Sequence, residues 1–290
     1  MSTTGPTTQR TRARTVKVDG ARLVCWESGP EDGEPVLLLH GYPANHHSWD
    51  HQVPALSRAH RVITPDLLGW GDSEQPHGLA FDYDSEVARI GRLLDALDID
   101  DVNLVGHDYG GFLSLGFTQT HPGRVRRLAL LNSRSQATFV PHWRALFTAF
   151  TLAGRTPVLR SLAARLPYGA LHRIAFGPLV EAGYVDREVM DGYLDHVRPL
   201  ESRRWLLHFF GHYRTAARPE LRRRLGQVGC PTAVIWGRGD KYLSPAIATE
   251  LAARIPHAEL TMIDDAGHWV MDERPSEVNT ALERLLGRAV

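Results

Sequence analysis

Residues 106–111, Gly106-His107-Asp108-Tyr109-Gly110-Gly111, follow directly on an apolar stretch at 102–105 and precede a helix-like segment. A short apolar run of this kind reads as a buried strand. Glycines on both flanks let the chain pass from strand to helix in a tight turn. That turn lifts the central side chain out of the sheet and sets it at a helix N-terminus, where negative charge is stabilised. The arrangement requires a sheet with a helix laid back against it.

The rest of the chain repeats that alternation. Apolar runs at 36–39, 61–64, 127–131, 232–236 and 259–263 read as further buried strands. An opening pair at 16–18 and 23–27 flanks Asp19-Gly20, a dipeptide that favours hairpins. Between strands, Val87, Ile90, Leu93, Leu94 and Leu97 recur at helical spacing and predict an amphipathic helix over 84–97. Strands alternating with helices predict an α/β fold with a mostly parallel, doubly wound sheet. From 133 to 218 the strand pattern stops, and aromatics, arginines and helical apolar spacing predict an inserted helical lid. The sheet core then comprises 15–132 and 219–290, after a disordered leader at 1–14.

A chain of 290 residues fits one large domain or a core with such a lid. The 33 basic and 33 acidic side chains cancel, which points away from nucleic acid and from a membrane-surface patch and toward a small-molecule substrate. Nothing in the sequence opposes a homodimer. Cys25 and Cys230 sit on separate apolar segments and make neither a metal-binding spacing nor a disulfide framework, so no metal or other cofactor is expected. The leader lacks the apolar stretch of a secretory signal, and no run reaches the ~18 apolar residues of a membrane span. A soluble, cytoplasmic protein is the expectation.

Two further motifs give Asp108 its partners. Asp240 follows the run at 232–236, and His268 follows the run at 259–263. Loops at the carboxyl ends of parallel strands converge on one site, so the chain order nucleophile, acid, base is chemically coherent. Asp264 and Asp265 compete with Asp240 as the partner of His268, but they lie just before it and suit a turn cap better. His40-Gly41-Tyr42-Pro43 closes the third strand, and the backbone amides of Tyr42 and Tyr109 are placed to hold one developing negative charge. The loop at 66–73 reads as architectural. A carboxylate is already ionised at neutral pH and can displace at an sp³ carbon without a base, leaving the histidine free to activate water afterwards.

With these motifs, 16–286 resembles the α/β-hydrolase superfamily, and the His-Gly-x-Pro and Gly-His-Asp-x-Gly-Gly segments resemble its epoxide hydrolase and dehalogenase branch. The resemblance implies a covalent alkyl ester on Asp108 that is then hydrolysed, with epoxide opening of a small to medium apolar substrate as the leading activity. Tyr213 resembles the later of two lid tyrosines that protonate the opened epoxide; the earlier position offers Pro141-His142-Trp143 instead. His142 and Trp143 resemble the halide-holding pair of haloacetate dehalogenases. Those enzymes, however, carry Arg after the nucleophile, and haloalkane dehalogenases carry Trp, where this chain has Tyr109. His40, His142, Trp143 and Trp269 are the candidate substrate contacts. Haloalkane or haloacid dehalogenation, a non-hydrolytic biosynthetic reaction and a ligand-binding role on the same fold are the alternatives. Tyr168, Tyr184 and Tyr193 are further lid hydroxyls that could supply the second proton donor.

Overall fold

The computed structural model describes residues 11–135, 141–195, 197–212 and 218–287, without the side chains of 141–143, 171, 174 and 175. Its eight strands are β1 (Arg12–Val18), β2 (Ala21–Ser28), β3 (Glu34–Leu39), β4 (His60–Asp66), β5 (Val102–His107), β6 (Val125–Leu131), β7 (Thr232–Gly237) and β8 (Glu259–Ile263). They form one sheet in the order β1-β2-β4-β3-β5-β6-β7-β8. The pairs β1·β2 and β2·β4 are antiparallel and the other five are parallel. Asp19 (φ +54°) and Gly20 (φ +80°) take the left-handed conformations that a two-residue hairpin between Val18 and Ala21 requires.

The central strands bury both faces, which is why they read as unbroken apolar runs rather than as alternating ones. On β3, Leu37 and Leu39 join the apolar core on one side of the sheet, while Val36 and Leu38 join that on the other.

The helices are α1 (Val53–Leu56), α2 (Tyr83–Ala96) and α3 (Asp108–Thr120), then α4 (Pro141–Gly154), α5 (Pro157–Ala163), α6 (Tyr168–Glu181), α7 (Arg187–Asp195) and α8 (Leu200–His212). After these come α9 (Pro219–Arg223), α10 (Ala246–Arg254), α11 (Val270–Glu273) and α12 (Pro275–Leu286). Asp82 caps α2 by accepting from the Ser85 amide at 3.1 Å, and Val87, Ile90, Leu93 and Leu94 form its buried face. α3 buries every residue but the last, as a helix filling the centre of a doubly wound fold must.

Between β6 and β7 the chain leaves the sheet for α4 to α8. These helices pack over the carboxyl ends of the strands through aromatic contacts. Trp205 of α8 lies fully buried edge-on to Trp70, 5.5 Å away, and a Cβ at Gly69 (φ +92°) would stand 1.8 Å from the Trp205 ring. Seating an indole there therefore requires glycine; losing a buried Trp typically costs ~3–5 kcal/mol.

Candidate active site

Five loops leave the carboxyl ends of adjacent parallel strands and meet above the sheet. β3 delivers Tyr42, β5 Asp108, β6 Asn132, β7 Asp240 and β8 His268. Asp108 stands at φ +45°, the first residue of α3, on a turn that tolerates no bulk beside it. A Cβ at Gly110 would lie 2.2 Å from the Leu39 carbonyl oxygen, and one at Gly41 would lie 2.8 Å from the Asp108 Cβ. The strain at Asp108 is held by its surroundings, as is common at functional turns. Ser133 contributes by donating its hydroxyl to the Asp108 carbonyl at 2.7 Å.

The two carboxylate oxygens of Asp108 have different neighbours. The Tyr42 amide donates to Oδ2 at 3.2 Å, while Nε2 of His268 stands 3.9 Å from Oδ1, beyond hydrogen-bond reach. The Tyr109 amide lies in the first turn of α3, where amides lack an intrahelical acceptor. The Tyr109 side chain turns away, its hydroxyl 3.5 Å from Oε2 of buried Glu86. Burial raises the Glu86 carboxyl to about 7 even with Arg89 bonded to it.

His268 donates from Nδ1 to Asp240 Oδ2 at 2.8 Å. Burial alone would lower the His268 pKa, but the Asp240 charge and hydrogen bond, with Asp108 nearby, hold it above the usual histidine value. Burial likewise works to raise Asp240, and its partners overcome this: the His268 charge and hydrogen bond, the Asn132 amide and the Leu243 backbone amide keep its pKa low. Asp264 is exposed and paired with Arg238 at 2.6 Å, and Asp265 is exposed, so Asp240 is the carboxylate on His268.

Several residues around this cluster were given no role by the sequence. Asn132 (φ +38°) donates from Nδ2 to Asp240 Oδ2 at 2.7 Å and to the Gly267 carbonyl at 3.2 Å, and its Oδ1 accepts from the Gly237 amide at 3.1 Å. His107, driven down to about 4 by burial and the neighbouring His268, donates from Nε2 to the His268 carbonyl at 2.9 Å. Glu273 clamps the same loop, accepting from the Gly267 amide at 2.7 Å and the Trp269 amide at 3.1 Å. Arg134 lies buried with its guanidinium 4.8 Å over the Phe112 ring. Burial lowers it to about 10, against the pull of Asp108. The one signal that could have marked Asn132 is its place straight after a strand, like Asp240 after β7.

The expected substrate contacts fare unevenly. His40 is 1% exposed, accepts from the Leu67 amide at Nε2 (3.1 Å) and donates from Nδ1 to the Gly41 carbonyl (2.9 Å). With both nitrogens committed it is a loop anchor, not a substrate ligand. Trp269 is buried between core and lid, stacked with Tyr193 of α7 at 6.1 Å and edge-on to Phe176 of α6 at 5.1 Å, so it seats the lid. Tyr213 and the side chains of His142 and Trp143 lie outside the described residues. Of the other lid tyrosines, Tyr168 and Tyr193 have buried hydroxyls without a partner, while Tyr184 accepts from Arg274 at 3.4 Å. Tyr168 is linked to the Tyr42 side chain through His172: its carbonyl accepts from His172, whose other nitrogen bonds the Tyr42 hydroxyl at 3.0 Å. The loop at 66–73 is a scaffold, with Asp66 fully buried and accepting from the His46 and Asp72 amides. Among the described residues no cluster of three or more His, Cys, Asp or Glu side chains is arranged to hold a metal ion.

Residues 34–275 match the model of the alpha/beta hydrolase fold family. Epoxide hydrolase A of Mycobacterium tuberculosis is 29% identical over 318 residues, covering 94% of this chain and 96% of that protein. The 2-hydroxy-6-oxo-2,4-heptadienoate hydrolase of Pseudomonas putida is also 29% identical, over 256 residues, covering 83% and 85%. In three dimensions the epoxide hydrolase CorEH superposes with a TM-score of 0.77 at 23% identity, covering 96% of this chain and 99% of that one, a likeness of fold. The chain belongs to the α/β-hydrolase fold family.

Proposed function

We propose that this hydrolase opens a small to medium apolar epoxide through a covalent ester on Asp108. The observation that carries the reading is the division of labour around that carboxylate. The Tyr42 amide holds Oδ2, and His268 stands 3.9 Å from Oδ1, too far to activate it and able to serve water instead. Oδ1 attacks a ring carbon, the ring C–O bond breaks, and its electron pair becomes an alkoxide that takes a proton from a lid tyrosine. His268 then removes a proton from water, the hydroxide adds to the ester carbon, and the oxyanion on Oδ2 is held by the Tyr42 and Tyr109 amides. Collapse expels the diol with an oxygen from the carboxylate; the imidazolium proton restores the tyrosine.

Tyr213 and Tyr168 are the proton donors in this reading: Tyr213 on its resemblance, Tyr168 on its buried, unpartnered hydroxyl in the residue whose carbonyl holds the His172 ring that bonds Tyr42. An epoxide is favoured over a haloalkane because Tyr109, the residue after the nucleophile, turns toward Glu86 and offers no donor to a departing halide. His268→Gln tests the two-step scheme. Alkylation uses the carboxylate and a lid tyrosine but not His268, so this variant should accumulate one substrate mass on the intact protein, mapped to Asp108 by peptide mass spectrometry. Reversible binding with no added mass would refute the ester.

A further inference from the structure

We propose that the outer face of α5 docks this protein on an anionic lipid surface. Five of the seven large apolar side chains left exposed among the described residues gather there: Leu152 (53%) at the end of α4, Val158 (69%), Leu159 (49%) and Leu162 (55%) on α5, and Leu166 (55%) just after it. On α5, Val158 and Leu162 are four apart with Leu159 beside them, and Leu166 lies in the turn that follows. Scattered exposed leucines need no explanation, but a cluster of them does.

Charge identifies the partner. The balanced total predicted no membrane-surface patch, yet from Tyr109 to Val180 there is no Asp or Glu; Arg124, Arg126 and Arg127 in that stretch pair with Asp95, Asp101 and Glu34 and Arg134 is buried, so the arginines that bear on this face are those beside α5. Arg155, two residues before α5, and Arg165, two after it, are both exposed and flank the cluster. The single carboxylate on α8, which packs against α5, is Glu201, and it is paired with Arg204 at 2.7 Å. A second copy docking here across a two-fold axis would set this basic rim against itself. The centre of a protein-docking patch is enriched in Tyr, Trp and Met, whereas this one is leucine and valine alone. Aliphatic side chains ringed by arginine match the boundary between acyl chains and anionic headgroups. No helix among the described residues is long and apolar enough to cross a bilayer, so the contact is peripheral. The inference does not depend on the leaving group, though an apolar substrate dissolved in lipid would then meet the lid directly.

The test is co-sedimentation of the full chain with vesicles of phosphatidylcholine alone and of an equimolar mixture with phosphatidylglycerol. Binding should appear with the anionic vesicles and weaken as salt is added. The double variant Arg155→Gln/Arg165→Gln should lower the partition coefficient about 30-fold, equivalent to about 1 kcal/mol per arginine. Leu159→Ser/Leu162→Ser should abolish binding, and since all four side chains are exposed the melting temperature should not move. Equal binding to both vesicle types, no binding to either, or variants that bind like the parent would overturn the proposal. A dimer dissolved by Leu162→Ser, or retention on a poly-glutamate matrix without vesicle binding, would assign the patch to a protein partner and overturn it equally.

Discussion

At the scale of single residues, the proposed chemistry turns on how tightly Asp240 holds His268. The imidazole must be neutral to take a proton from water, and its pKa is raised above the ordinary 6.5, so hydrolysis should be slow in acid and rise through that elevated pKa. A pH profile of single-turnover ester hydrolysis measures this limb. Asn132 tunes it. Its amide lowers the Asp240 pKa, so removing that donor makes the carboxylate more basic and stabilises the imidazolium further. Asn132→Gly, chosen because Ala would be strained at φ +38°, should shift the acid limb to higher pH. It should also cut the hydrolysis rate about tenfold, the equivalent of one hydrogen bond to a charged group. An unshifted limb would reduce Asn132 to a loop residue.

At the scale of elements, the short helix α11 joins the site to the lid, and Asp272 within it is the residue to probe. Burial, with the like charges of Asp50 and Glu273, raises Asp272 well above its ordinary 3.8, and its Oδ2 has no partner. Gln52 donates to the Met271 carbonyl at 3.1 Å, tying the same helix to the loop after β3. A carboxyl with a raised folded pKa keeps its proton where the unfolded chain has lost it. Its contribution is therefore full below the unfolded pKa and is lost as pH rises through the folded one. Asp272→Asn removes that loss and should be more stable relative to the parent at about pH 8 than at about pH 5. Thermal unfolding of both proteins at the two pH values gives the comparison; a constant gap would mean that Asp272 titrates normally.

At the scale of the molecule, the question is which leaving group the lid serves. An alkoxide is far more basic than halide and needs a proton in the transition state. Tyr213→Phe and Tyr168→Phe should each lower kcat/KM for an epoxide, by up to about 10²- to 10⁴-fold for the principal donor. They should barely affect a haloalkane, whereas Trp143→Phe should do the reverse. Turnover of the haloalkane alone would sink the epoxide reading.

The sheet and the chain order of the clustered Asp108, Asp240 and His268 were legible in the chain because both are local. Buried strands are apolar runs, and a tight strand-to-helix turn needs its glycines, so all eight strands and Asp108, Asp240 and His268 could be placed in advance. His40 was misjudged for the opposite reason. A histidine beside a motif looks functional until the Leu67 amide and the Gly41 carbonyl are seen to occupy its ring. Asn132 and Glu273 went unnoticed because Asn132 acts on Asp240, 108 positions away, and Glu273 on backbone amides, and neither relation leaves a pattern in the neighbouring residues. The global charge balance concealed the arginine-flanked face of α5 in the same way. Which side chains share a surface is decided when helices pack, and composition averages over all of them.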